Sequence, residues 1–167
     1  MQEPIYSFTK TAMMEKKYMD LAIELSIANI HNGGGPFGAV IVKEGEIIAA
    51  SANSVVPSND PTAHAEINAI RDACRKLGTH DLSGCDLYAS CEPCPMCLGA
   101  IYWARISRLY YANTKDDAGN IGFDDSFIYS EFALPYQERK LPTIRMINTK
   151  AIEAFQIWEK KEDKTKY

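Results

Sequence analysis

Apolar side chains recur at helical spacing at Tyr18, Leu21, Ala22, Leu25 and Ala28, which predicts a helix over residues 11–30 with one buried face. Three consecutive glycines, Gly33, Gly34 and Gly35, end it. Residues 37–42 and 47–50 read as two β-strands joined through Lys43-Glu44-Gly45-Glu46, a hairpin turn. Asp60-Pro61 is a helix-start signal, with Asp as N-cap and Pro as first helical residue, and the helix it opens runs to Leu77 with Gly78 as its stop. A strand over 85–90 follows. The next helix starts near Pro93, because Pro93 and Pro95 are tolerated together only in a first turn, where the missing N–H groups have no intrahelical partner. Downstream, 108–112 reads as a Tyr-rich strand, 123–132 as a helix, 143–148 as a final strand and 151–160 as a last helix.

A helix, a hairpin and then alternating helices and strands predict an α/β protein of three layers, α/β/α, with helices on both faces of a five-stranded mixed sheet. A helix lies between the last two predicted strands, so a parallel crossover is expected there rather than a hairpin. The glycine run is not a phosphate cradle. Phosphate loops follow a strand and open a helix, whereas this run closes a helix and precedes a strand. No repeat, low-complexity tract or linker divides the 167 residues, so residues 1–167 are read as one domain. With 46% hydrophobic and 24% charged residues, such a chain buries enough surface to fold without staples.

The formal net charge of -4 supplies no long-range attraction to nucleic acid or to an anionic membrane, so neither is an expected partner. The mixed charges of residues 159–166 read as a solvated helix end. No run approaches transmembrane length, and Glu15, Lys16, Lys17, Asp20 and Glu24 interrupt any signal-like apolar stretch, so the expected location is cytoplasmic. Five cysteines are an odd count, and Cys91, Cys94 and Cys97 fall within seven residues. That clustering suits metal binding better than a disulfide framework.

His64-Ala65-Glu66 and Pro93-Cys94-Pro95-Met96-Cys97 together supply three good zinc ligands and one carboxylate that is a poor fourth. A structural zinc is closed by four protein ligands, and a catalytic zinc keeps three. Cys94 and Cys97, three apart on a helix, share a face, and the positive end of that helix favours their thiolates. His64 sits in the first or second turn of its own helix, so two helix N-termini converge on one site. Glu66 is less easily placed, since a spacing of two on a regular helix points it roughly opposite His64. The order His-x-Glu followed by Pro-Cys-x-x-Cys is nonetheless the pattern of zinc deaminases, in which the Glu carries protons and is not a ligand. Zinc lowers the pKa of bound water from about 15.7 toward about 7, and a neighbouring carboxylate can pass that proton to a ring nitrogen and then to the departing amine. Two other readings stand beside this one: a redox-active Cys-x-x-Cys, and a closed Cys3His site using Cys91. Cys91 falls at the strand end, outside the face shared by Cys94 and Cys97, and reads as a buried thiol. Cys74 and Cys85 read as core residues.

The runs Gly34-Gly35-Pro36-Phe37-Gly38-Ala39-Val40, Asn59-Asp60-Pro61-Thr62-Ala63-His64-Ala65-Glu66 and Ser90-Cys91-Glu92-Pro93-Cys94-Pro95-Met96-Cys97 resemble the cytidine deaminase superfamily. Leu98-Gly99-Ala100-Ile101-Tyr102-Trp103-Ala104-Arg105 and Gly122-Phe123-Asp124-Asp125-Ser126-Phe127-Ile128-Tyr129 resemble its bacterial guanine deaminases. The resemblance runs from about residue 14 to Tyr167, leaving residues 1–10 as an N-terminal extension. It implies the cytidine deaminase-like fold, zinc bound by His64, Cys94 and Cys97, and proton transfer by Glu66. It further implies attack of water at C2 of guanine, releasing ammonia and leaving xanthine, in purine catabolism or salvage. Asn53 is implied at the O6 and N7 edge, Asp125 at the 2-amino group, Ala65 as a further substrate contact, and Phe37 and Trp103 on the two faces of the purine. The resemblance also implies a homodimer that exchanges its C-terminal segment, about 150–167, so that Tyr167 closes the partner's site. Read without it, Asn53 is a turn residue, Asp125 a helix cap, and Phe37 and Trp103 core aromatics. Three rival functions share the motifs: a guanosine deaminase, a tRNA-editing adenosine deaminase and a noncatalytic zinc-binding module. The acidic balance and Gly122-Phe123-Asp124-Asp125 count against the tRNA enzyme.

Overall fold

A computed structural model of the protein describes residues 10–148 and 150–166. The chain divides into two compact units, residues 1–125 and 126–167. The expected extension at 1–10 lies almost wholly outside the described residues, and Tyr167 lies outside them as well.

The first unit opens with helix α1 (Lys10–His31) and the hairpin of β1 (Gly38–Lys43) and β2 (Glu46–Ala52). Lys43 pairs with Glu46, leaving Glu44 and Gly45 as a two-residue turn with φ of 50° and 84°. Two positive φ values in succession match the right-handed twist of the strands they join. A one-turn helix α2 (Val55–Ser58) and helix α3 (Ala65–Leu77) follow, then β3 (Cys85–Cys91), α4 (Pro95–Trp103), β4 (Arg108–Asn113) and α5 (Lys115–Asn120). The sheet order is β2-β1-β3-β4, with β1 antiparallel to both neighbours and β3 parallel to β4 across α4.

Alternation along β1 and β3 builds the three layers. Val40, Val42 and Tyr88 face Tyr18 and Ala22 of α1, while Ala39, Ile41, Leu87 and Ala89 face Ala65, Ala69 and Ala73 of α3 and Ile101 of α4. The small alanines at every fourth position of α3 let that helix lie close on the sheet.

The sheet of the described residues has four strands, which corrects the expectation of five. Residues 143–148 form no strand, and Ile144, Met146 and Ile147 are 83%, 87% and 87% exposed. An alternating apolar pattern makes a strand only where a neighbour takes up its N–H and C=O groups, and none of the described residues pairs with this segment. The expected parallel crossover into it is therefore absent, and the parallel link lies one step earlier, between β3 and β4. The second unit consists of α6 (Ser126–Ala133), a 3-10 turn (Tyr136–Glu138) and α7 (Ala151–Lys160). Among the described residues of this unit no apolar side chain is buried. None of the helices described is long and apolar enough to cross a membrane.

Helix α6 begins at Ser126 rather than at residue 123, and two further helix starts move as well. Asp60 does not open α3. Its carboxylate accepts from the Thr62 N–H at 2.8 Å and the Thr62 hydroxyl at 2.7 Å, closing a turn instead, and the helix begins at Ala65 with His64 as N-cap. Likewise α4 begins at Pro95 rather than Pro93, with Cys94 as N-cap.

Candidate active site

The displaced starts of α3 and α4 assemble the site. His64 has extended backbone angles (φ -67°, ψ 157°), so the regular helical spacing that would point Glu66 away from it does not apply across residues 64–66. Cys94 is likewise extended (φ -63°, ψ 167°), and its sulfur accepts from the Cys97 N–H at 3.5 Å across the first turn of α4. His64 Nδ1 consequently lies 3.6 Å from Cys94 Sγ and 3.5 Å from Cys97 Sγ, and the three donor atoms are all within 4.8 Å of one another.

These separations suit one tetrahedral ion. With Zn–S near 2.3 Å and Zn–N near 2.0–2.1 Å, neighbouring donors around zinc stand about 3.5 Å apart. An imidazole with two sulfurs is also the donor set zinc favours over harder cations. The buried Glu66 carboxylate accepts from Cys97 Sγ at 3.5 Å, which puts it beside the cluster. Cys91 is not part of the cluster. Its thiol donates to the Thr114 carbonyl at 3.5 Å, and burial pushes it up to about 11, as suits a neutral structural thiol.

Charge is unevenly held around the cluster. The Cys97 thiol beside it holds Cys94 down to about 4, and Cys97, paired to that thiolate and buried, is pushed well above the ordinary thiol range. The hydrogen bond to Cys94 raises His64. Burial raises the carboxyl of Glu66, and burial followed by the Cys94 charge raises that of Asp125. His64 and Cys97 thus hold protons tightly beside the Cys94 thiolate, at positions that a bound dication would take.

A cavity of about 500 Å³ opens onto this cluster. His64, Glu66 and Cys94 line it together with Phe37, Asn53 and Asp125, so six of the residues singled out in the sequence share one space. Asn53 is buried, and its Oδ1 accepts from the Gly35 N–H at 3.4 Å and the Val55 N–H at 3.3 Å. With the oxygen so occupied, the group Asn53 has left to offer is its NH2, two donors suited to a pair of acceptors.

Other expectations land differently. Ala65 is fully buried and its side chain does not line the cavity; as the first residue of α3 it could offer only a backbone N–H. Trp103 does not reach this cavity. It is 69% exposed at the end of α4 and lines a separate shallow depression with Gly99, Tyr102 and Arg105. Phe123, which sequence reading left as the start of a helix, packs edge-on against Phe37 with ring centroids 5.0 Å apart and lines the cavity beside it. Lys115 lines it too, carried by α5, a helix the hydrophobic pattern missed. The Thr114-x-x-Asp117 capping box was the available signal.

The chain matches the model of the cytidine and deoxycytidylate deaminase zinc-binding region over residues 13–113. It belongs to this deaminase family. The match brings zinc as the family's metal and coincides with the three-donor cluster found here. Among its relatives, the guanine deaminase of Bacillus subtilis is 51% identical over 156 residues, 93% of this chain and 100% of the relative. The X-ray structure of that enzyme superposes with a TM-score of 0.89, covering 91% of this chain and 98% of the other. The tRNA-specific adenosine deaminase of Aquifex aeolicus is 41% identical over 109 residues, 65% of this chain and 72% of the relative.

Proposed function

We propose that the protein is a guanine deaminase, converting guanine and water to xanthine and ammonia. The observation that carries this is the buried Glu66 beside an open three-donor cluster, in a deaminase-family chain similar to a guanine deaminase along that relative's whole length. His64, Cys94 and Cys97 hold the zinc, which when bound acidifies the attacking water. Glu66 takes the first proton from that water and delivers it to the ring nitrogen beside C2, then takes the second from the hydroxyl now on C2 as the carbonyl forms and gives it to the departing amine. Its raised proton affinity suits a group that must hold a proton between two transfers. O6 and N7 of guanine are both acceptors, and the Asn53 NH2 offers two donors to that edge. Asp125 accepts from the 2-amino group. Phe37, braced by Phe123, stacks on the purine, and Ala65 contributes its backbone N–H.

The same reading makes the protein a homodimer that exchanges its C-terminal segment. Supporting it are the exposed apolar side chains of Ile144, Met146 and Ile147, the absence of a buried core in the described residues of the second unit, and β4 standing as an edge of the sheet of the described residues. Trp103, turned away from its own cavity, and Tyr167 then act on substrate from a second copy.

Ammonia release from guanine, guanosine, adenine and cytosine, measured side by side, tests the assignment. Release from guanine alone is expected. Turnover of guanosine with inert guanine would replace this reading with a nucleoside deaminase, and release from none of the four would leave a zinc-binding module.

A further inference from the structure

Asn29, on the exposed-to-half-buried end of α1, carried no role in the sequence and does not line the cavity. Its Nδ2 nevertheless donates to two carbonyls at once, Gly35 O at 2.8 Å and Asn53 O at 2.7 Å. Both partners are pure acceptors, so the orientation of the amide is fixed by chemistry and both its hydrogens are used. Each carbonyl belongs to a wall of the cavity. Gly35 O also accepts from the Phe37 N–H at 2.8 Å, and the Gly35 N–H reaches the Asn53 Oδ1; Asn53 N donates to Phe37 O at 3.0 Å.

The backbone is shaped to admit this fork. Gly34 N donates to Asn29 O at 3.0 Å, and a Cβ on Gly34 would collide with the Asn29 amide and lie 2.6 Å from Asn53 O. Only glycine leaves room for Asn29 to span both carbonyls.

We infer that Asn29 is a positioning residue, whose forked amide ties the Gly35 and Asn53 carbonyls together and so holds the Asn53 side chain in register for substrate. A hydroxyl has one hydrogen and cannot make both bonds, and an aliphatic side chain makes neither. The inference rests on the reading of Asn53 as the donor to the O6 and N7 edge. Asn29 acts on binding geometry and leaves the zinc cluster and Glu66 untouched.

The test is a double-mutant cycle on the zinc-loaded protein, with kcat and KM for guanine, bound zinc and melting temperature read for each variant. Asn29→Ala is expected to raise KM about 5- to 10-fold, with kcat within about threefold of wild type and zinc content unchanged. Asn53→Ala is expected to raise KM at least as much, and adding Asn29→Ala to it should raise KM no further. An unchanged KM in Asn29→Ala beside a raised one in Asn53→Ala overturns the inference and leaves the role of Asn53 standing. Multiplying effects in the double variant overturn it too, because they mean Asn29 serves the fold at large. An unchanged KM in Asn53→Ala removes the reading of Asn53 and this inference with it. If Asn29→Ala does not fold, Asn29→Ser, which keeps one of the two hydrogens, goes through the same cycle with the same criteria and a smaller rise.

Discussion

Glu66 illustrates how a functional side chain trades stability for chemistry. Burial raises its carboxyl above the ordinary value of 4.5, so in the metal-free protein its proton is bound more tightly folded than unfolded. The sign follows directly: this group favours the fold at low pH, and that contribution is lost as pH rises through the raised value. Metal-free Glu66→Gln is therefore expected to melt at a higher temperature than metal-free wild type near pH 8, with the difference closing toward pH 4, in paired thermal scans. A difference independent of pH would refute the account. The zinc-loaded variant should meanwhile lose about 100-fold or more in turnover while keeping its metal. At this scale the residue types of the site were legible, because His, Glu and two Cys in this order have few other uses. Their geometry was not. Glu66 seemed misdirected only because helical spacing was assumed through His64, and Asn29 and Phe123 acquire roles from distant partners that no local pattern records.

Among the elements, those with a strong internal period were readable almost to the residue: α7 spans the predicted 151–160, and α1 and β1–β4 shift by a residue or two at their ends. What failed were boundaries at which two local preferences compete. Asp60-Pro61 satisfies the rules for a helix start and for a turn, and the Thr62 hydrogen bonds decide for the turn. α5 is the opposite case, a helix of six residues with little apolar period that is held by its cap. The Thr114 hydroxyl accepts from the Asp117 N–H at 3.2 Å, and the Asp117 carboxylate accepts from the Thr114 N–H at 2.8 Å. Thr114→Ala should lower unfolding stability by about 1 kcal/mol in urea titration. Because α5 carries Lys115 and Ala118 into the cavity wall, a rise in KM for guanine is expected as well, with zinc content unchanged.

For the whole molecule, the fifth strand is the informative error. Residues 143–148 have the composition of a strand, but a strand is a property of a pair, and a single chain's pattern cannot say whose edge it joins. The exchange proposed above has a direct consequence for subunit mixing. Glu66→Ala subunits and subunits truncated after Lys160 should each be nearly inactive alone with guanine. Unfolded and refolded together, they should recover up to about a quarter of wild-type turnover, because half the dimers formed at random are mixed and each has one complete site. No recovery in a mixture that forms dimers would exclude a contribution of the tail to the partner's site.

The two helix starts have a last consequence. His64 and Cys94 are at once the donors of the cluster and the cap residues of α3 and α4, and Cys97 is tied to Cys94 through the backbone. The donors are thus arrayed by a fold that has its own core, unlike a small zinc module whose chain collapses only around the ion. Little ordering remains to be done when the metal arrives. Stripping the metal with a chelator is therefore expected to abolish turnover while leaving a cooperative melting transition, and returning zinc to restore turnover without a refolding step.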